Sequence, residues 1–230
     1  MSSSASEPAG AVANRENAVQ WVCMNWQNTL YMLPGILLGL TVHEYCHALA
    51  ASKLGDSTAR DQGRITLNPI RHIDPIGFLL IVFVGFGWAK PVQFNPENLQ
   101  NLRRDRAIIA AAGPLSNLVL GAIIALVLRA IIHFQLGVGE HTLTLIHFLY
   151  VGAFINFVLF VFNLLPIPPL DGSHVVFSGL NIKPEIEARI RPFGIPALVG
   201  LLIFQNITGV SILPIGGIAN MLIGFFLPLS

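Results

Sequence analysis

The feature that most limits what this chain can become is where its charges are missing. No Asp, Glu, Lys or Arg occurs between Glu16 and Glu44, from Pro75 to Ala89, from Ala107 to Leu128, from Thr142 to Leu170, or after Arg191. A helix needs roughly 20 mostly apolar residues to cross the hydrocarbon core of a bilayer, and four of these five runs are long enough. Across the 230 residues only 11% are charged, against about 25% in ordinary soluble domains. A soluble fold would have to bury several long helices that lack a charged face. The chain therefore reads as an all-α polytopic membrane protein, with the lipid bilayer as its first partner. Its net charge of +1 comes without a basic stripe, so nothing in it reads as a nucleic-acid footprint. Residues 1–18 are small and polar and lack the apolar run of a signal peptide. They read as a disordered tail, and residues 19–230 as one membrane-embedded domain. Cys23 and Cys46 both lie in apolar context and read as free thiols.

The first span is expected from about Leu30 to Ala51, with Trp21, Trp26 and Tyr31 at its start, as suits aromatic rings at headgroup level. Further spans are expected at Ala107–Ile132 and Ile146–Leu165. Ile76–Trp88 is apolar but short and contains Gly77, Gly85 and Gly87, which suits a re-entrant segment better than a crossing. The basic residues agree. Lys53, Arg60, Arg64, Arg71, Lys90, Arg103, Arg104 and Arg106 flank that segment, Lys183, Arg189 and Arg191 follow the third span, and His133–Leu145 has no Lys or Arg. If Ile76–Trp88 dips in and returns, both basic regions share one side, which the positive-inside rule makes cytoplasmic. After Arg191 the chain is uncharged and interrupted by Pro196, Gly209, Pro214 and Gly216–Gly217, giving one long kinked helix or two short spans.

The first span carries His43-Glu44-Tyr45-Cys46-His47. Residues four apart share a helical face, so both imidazoles can reach one metal ion, with Glu44 beside them as a base that is not itself a ligand. The competing reading is a structural His–Glu–His network between helices. Ionisable groups inside a membrane span are costly and mark function by default. A catalytic zinc keeps three protein ligands and one open position, so a third ligand must come from elsewhere. Asp171 is the best candidate. Pro166, Pro168 and Pro169 cannot continue the preceding helix, and irregular backbone at membrane depth lines a wet cavity or is buried in protein. The alternative is a loop carboxylate just outside the bilayer. Asn117 and Asn163 are amides in apolar helices, read either as helix-to-helix glue or as donors to substrate and oxyanion.

With HEYCH at 43–47, NLLPIPPLDG at 163–172 and AAGPLSN at 111–117, the chain resembles the site-2 protease family of intramembrane zinc metalloproteases, over residues 30–175. The resemblance implies a three-helix catalytic core, a re-entrant or β-like membrane segment and one or two further C-terminal membrane helices. It implies one Zn2+ per chain on His43, His47 and Asp171, Glu44 as catalytic base, and Asn163 and Asn117 at the family's two Asn positions. It also implies an active site toward the cytoplasm, in the inner or cytoplasmic membrane of a cell. Many relatives carry a further leading span or an attached peptide-binding or nucleotide-sensing domain, and none is visible here.

The expected reaction is hydrolysis of peptide bonds in or near the transmembrane segments of single-span membrane proteins, after the substrate helix unwinds. Gln62–Pro69 alternates like a strand and is expected to pair with the unwound substrate. Three rivals are weighed against this. A zinc transporter has no need of a Glu beside the first ligand. A di-iron hydroxylase needs about eight clustered His, and only one close pair is present. A catalytically silent membrane-helix-binding relative is expected to have lost one of the site residues.

Overall fold

The computed structural model describes residues 26–84, 87–136, 140–210 and 212–227. The expected tail over 1–18, together with Trp21 and Cys23, lies outside them. The described chain is helical: α1 Trp26–Lys53, α2 Pro75–Val84, α3 Leu102–His133, α4 Glu140–Asn163, α5 Asp171–Gly179, α6 Pro184–Thr208 and α7 Ile215–Phe226, with single helical turns at Thr58–Asp61, Pro69–Arg71 and Pro96–Asn98. Among the described residues the only β pairing is an isolated bridge between Ile73 and Ala89.

The centre of the molecule is α3, packed against α1, α4 and α5, while α1 also packs on α4. α3 and α4 are long and apolar enough to cross a membrane. α1, at 28 residues, is long enough too, but it does not meet the same apolar measure because His43, Glu44 and His47 fall within it. One cluster of buried residues (Ala125, Leu128, Ala153, Phe157, Ala219, Ile223) joins α3, α4 and α7. A second, smaller one at the other end (Ala51, Leu99, Ile109) joins α1 to α3 and to the loop between them. The small residues let helices approach closely, which is how helices associate where no water drives them together.

Between α1 and α3 the chain turns back on itself. After α2 it returns so that Ile73 faces Ala89 and the Lys90 amide donates to the His72 carbonyl at 2.8 Å. The apolar segment thus starts and finishes at one level. Asp56 then fastens this region together, accepting from the Asn95 amide at 2.9 Å and from Asn98 Nδ2 at 2.8 Å.

Two expectations need correction or completion. Gln62–Pro69 is not a strand. Gly63 sits at φ +66, bends follow, and Asn68 accepts the Ile70 amide to open a helical turn, so its alternation is turn chemistry. At the C-terminus there are two helices, not one. Gly209, left-handed at φ +70, ends α6 by bonding back to the Gln205 carbonyl, and α7 follows. α6 stands largely apart from the bundle and is mostly exposed, touching it through the face that carries Glu187, Gly194 and Leu198.

Candidate metal centre

His43 and His47 lie one turn apart on α1, both more than nine-tenths buried, with their Nε2 atoms 3.0 Å apart. Each ring is fixed from behind. His43 Nδ1 donates to Asn117 Oδ1 at 2.7 Å, and His47 Nδ1 donates to the Ile109 carbonyl at 2.7 Å. The first assignment follows from the amide's other bonds: Asn117 Nδ2 donates to the Gly39 carbonyl at 3.0 Å, so its oxygen must face the histidine. With the proton of each neutral ring on Nδ1, both Nε2 lone pairs point inward. Asp171 Oδ2 meets them there, 3.0 Å from His43 Nε2 and 3.3 Å from His47 Nε2.

Those donors fit a metal. Two imidazole lone pairs and a carboxylate oxygen repel one another unless a cation lies between them, and all three ligand atoms lie within 4.8 Å of one another. Bonds of 2.0–2.2 Å in a tetrahedral shell put neighbouring donors about 3.3 Å apart, close to the separations seen. The backing bonds to Asn117 and Ile109 are of the kind that orient metal-binding histidines.

Local sequence explains how helices so far apart in the chain meet here. On α3, Gly113 faces the rings: a Cβ at that position would lie 2.3 Å from His47 Nε2 and 2.6 Å from His43 Nε2. Pro114 follows and offers no amide to the Ala110 carbonyl, loosening the turn at which the neighbouring Ile109 carbonyl takes His47. On the third side, α4 stops in the Pro-rich stretch and α5 starts at Asp171, an acidic first-turn residue favoured by the helix dipole. Gly172 permits the crossing, since a Cβ there would meet the Leu164 carbonyl oxygen at 2.1 Å.

Glu44 lies outside the three-residue cluster. It is 7% exposed, and its Oε2 accepts the Val92 amide at 2.8 Å, with Arg64 Nη2 3.8 Å away. The structure thus brings His43, His47 and Asp171 together, with Glu44 next to His43 on α1. It does not bring in Asn163, whose amide donates to the Leu159 carbonyl of its own helix at 3.0 Å. Asn117 needs correction as a substrate donor. One amide hydrogen goes to Gly39 and the other to Asn156 Oδ1 at 3.0 Å, so none is left for an oxyanion. It is glue and orients His43. His174, one turn beyond Asp171, accepts from Arg106 Nη2 at 2.5 Å rather than joining the cluster.

Sequence reasoning passed over Asn156, Gly113, Arg64 and Arg103. Asn156 had a usable signal as a fully buried amide in an apolar run. The rest become visible only through contacts across the fold. Arg103 donates to the Ser178 and Gly179 carbonyls at the end of α5, and Arg106 pairs with Glu187 of α6.

Comparison with known proteins agrees with this geometry. A profile of peptidase family M50 matches residues 130–205, which contain Asp171 and the Pro-rich stretch. YwhC of Bacillus subtilis (strain 168), provisionally named a zinc metalloprotease, is 42% identical over 169 residues, 70% of this chain and 73% of that protein. Rip2 of Mycolicibacterium smegmatis, named in the same provisional way, is 31% identical over 182 residues, 76% of this chain and 67% of its own. Rip2 of Mycobacterium tuberculosis (strain H37Rv) is 31% identical over 180 residues, 75% of this chain and 65% of that protein. No solved structure matches the chain significantly. By extent and identity the chain belongs to peptidase family M50, the site-2 protease family of membrane metalloproteases, and zinc is its metal.

Proposed function

We propose that this chain is an intramembrane endopeptidase that hydrolyses peptide bonds in or near the transmembrane segments of single-span membrane proteins. The observation that carries this is the convergence of His43 Nε2, His47 Nε2 and Asp171 Oδ2 beside Glu44, deep among helices long enough to cross a bilayer. These three residues hold the zinc, which when bound supplies Lewis acidity to a substrate carbonyl. Glu44 takes the proton of the attacking water and passes it to the leaving amine. Its clamped Oε2 leaves Oε1 for that traffic. Asn163, with one amide hydrogen not used by any described residue, is the candidate donor to substrate or oxyanion.

The reading includes a side. Residues 53–75, 89–106 and 170–191 face the cytoplasm, and Ile76–Trp88 re-enters. Supporting this, Asp56 bonds the first segment to the second, and Arg103 and Arg106 bond the second to the third. Segments bonded to one another in this way are not parted by a bilayer, and together they hold most of the basic residues.

The test is incubation of the purified protein in detergent with a panel of single-span membrane proteins, with and without a chelator. Cleavage that stops on chelation and returns with zinc is expected. A zinc-loaded protein that leaves the whole panel intact contradicts the proposal.

A further inference from the structure

Arg64 differs from the basic residues around it. Lys53, Arg60 and Arg71 are exposed, whereas Arg64 is 4% exposed. A buried guanidinium is costly without an opposite charge, and the carboxylate it meets among the described residues is Glu44, with Nη2 3.8 Å from Oε2. The same Nη2 donates to the Lys90 carbonyl. Two residues further along that extended return segment, the Val92 amide donates to the same Oε2 at 2.8 Å. Arg64 thus bridges the carboxylate and the segment that grips it. The bridge is incomplete as mere loop packing. Among the described residues Arg64 Nε has no partner, and neither does Nδ1 of His72, which is 1% exposed and donates from Nε2 to the Thr66 carbonyl at 2.8 Å.

We propose that Arg64 is a positioning residue for the reaction: it holds Oε2 of Glu44 against the return segment, so that Oε1 is presented to the water. This rests on the reading of Glu44 as the base. Arg64 touches neither substrate nor metal ligand and acts only through Glu44. A carboxylate oxygen that takes the Val92 amide and faces the Arg64 charge keeps one rotamer, whereas a base that wanders by an ångström loses much of its rate.

The experiment compares purified wild-type, Arg64→Met, Arg64→Lys and Glu44→Gln proteins on a synthetic single-span helical peptide in micelles, with zinc content measured on each. Arg64→Met is expected to keep one zinc per chain and to lower kcat about 10- to 100-fold while KM moves less than about two-fold. Arg64→Lys recovers part of the loss, because an ammonium keeps a positive charge near Oε2 but sits on a shorter stem without the planar guanidinium that donates to the Lys90 carbonyl. Adding Arg64→Met to Glu44→Gln lowers the rate no further. An unchanged kcat in Arg64→Met, or an Arg64→Lys protein no better than it, overturns the proposal. Val92→Pro removes the amide that donates to Oε2 and leaves the Arg64 charge in place, and it is expected to lower kcat with zinc retained. If Arg64→Met loses its zinc and Val92→Pro is fully active, Arg64 only holds the loop and the proposal fails. Full activity in Glu44→Gln overturns the base assignment itself, a separate result.

Discussion

At the scale of single residues, the metal centre depends on groups that never touch the metal. Gly113 is the sharpest case, because its missing side chain is the space between the two Nε2 atoms and α3. Gly113→Ala is expected to remove most of the zinc and with it the activity, while Ala112→Gly, one position away, leaves zinc at one per chain. Elemental analysis of both proteins checks this. Asn117→Ala takes away the acceptor that holds His43 Nδ1–H, and loss of such a partner costs about 10- to 100-fold in metal affinity. Competition with a chelator of known affinity measures it. The cluster of His43, His47 and Asp171 was legible in the sequence because HEYCH imposes its geometry through helical spacing alone, and because Asp171 follows a break that only a wet or buried site tolerates. The role of Asn117 was not legible. Which of glue or oxyanion donor it serves depends on Gly39 and Asn156 meeting it from two other helices. Arg64 looked like any loop arginine until its carboxylate was found twenty residues upstream.

Among elements, the site is held by three tethers: α1 supplies two ligands, α3 supplies their backing, and α5 supplies the third. α5 has only nine residues, too few to be stable alone. Arg103 pins it at the opposite end from Asp171, and Arg106 holds His174, one turn from Asp171, and joins it to α6 through Glu187. Arg106, with Arg191 assisting, holds the Glu187 carboxyl down to about 2 against the effect of burial. A depressed carboxylate stabilises the fold above its unfolded value, near 4.3, and that contribution is lost as pH falls toward 2. Spin labels on the exposed faces of α3 and α6 should therefore report one distance from pH 7 to about 5 and a broadened distribution only as pH approaches about 2. Glu187→Gln should show the broad distribution already at pH 7. The helices themselves were readable from charge-free runs, since α3 and α4 carry their full apolar length in sequence. Gln62–Pro69 was misread as a strand because two-residue alternation over so short a stretch also arises where turns expose every second residue. The break between α6 and α7 was undecidable until Gly209 was seen in the left-handed conformation.

For the whole molecule, the claim is that a water-using reaction is carried out beneath a membrane surface on chains that span it. Topology can be tested apart from chemistry. Cysteines placed at 60, 95 and 180 are expected to label from the same side, and labelling of 95 from the side opposite 60 would show that Ile76–Trp88 crosses fully. Substrate choice should follow helix stability. Gly costs about 1 kcal/mol and Pro about 3 kcal/mol in a helix interior relative to Ala, so one such residue near the cut is expected to speed cleavage several-fold if unwinding limits the rate. Rates that track only side-chain size at the cut would assign selection to the pocket instead. The measurement closest to the central claim is mass spectrometry of the products from one single-span substrate, treated with wild-type protein and with Glu44→Gln at equal zinc content. The prediction is fragments ending inside the span for the wild type, and none for the variant although it holds one zinc per chain. Fragments of the same kind from Glu44→Gln, or cuts by the wild type confined to soluble loops, would contradict it.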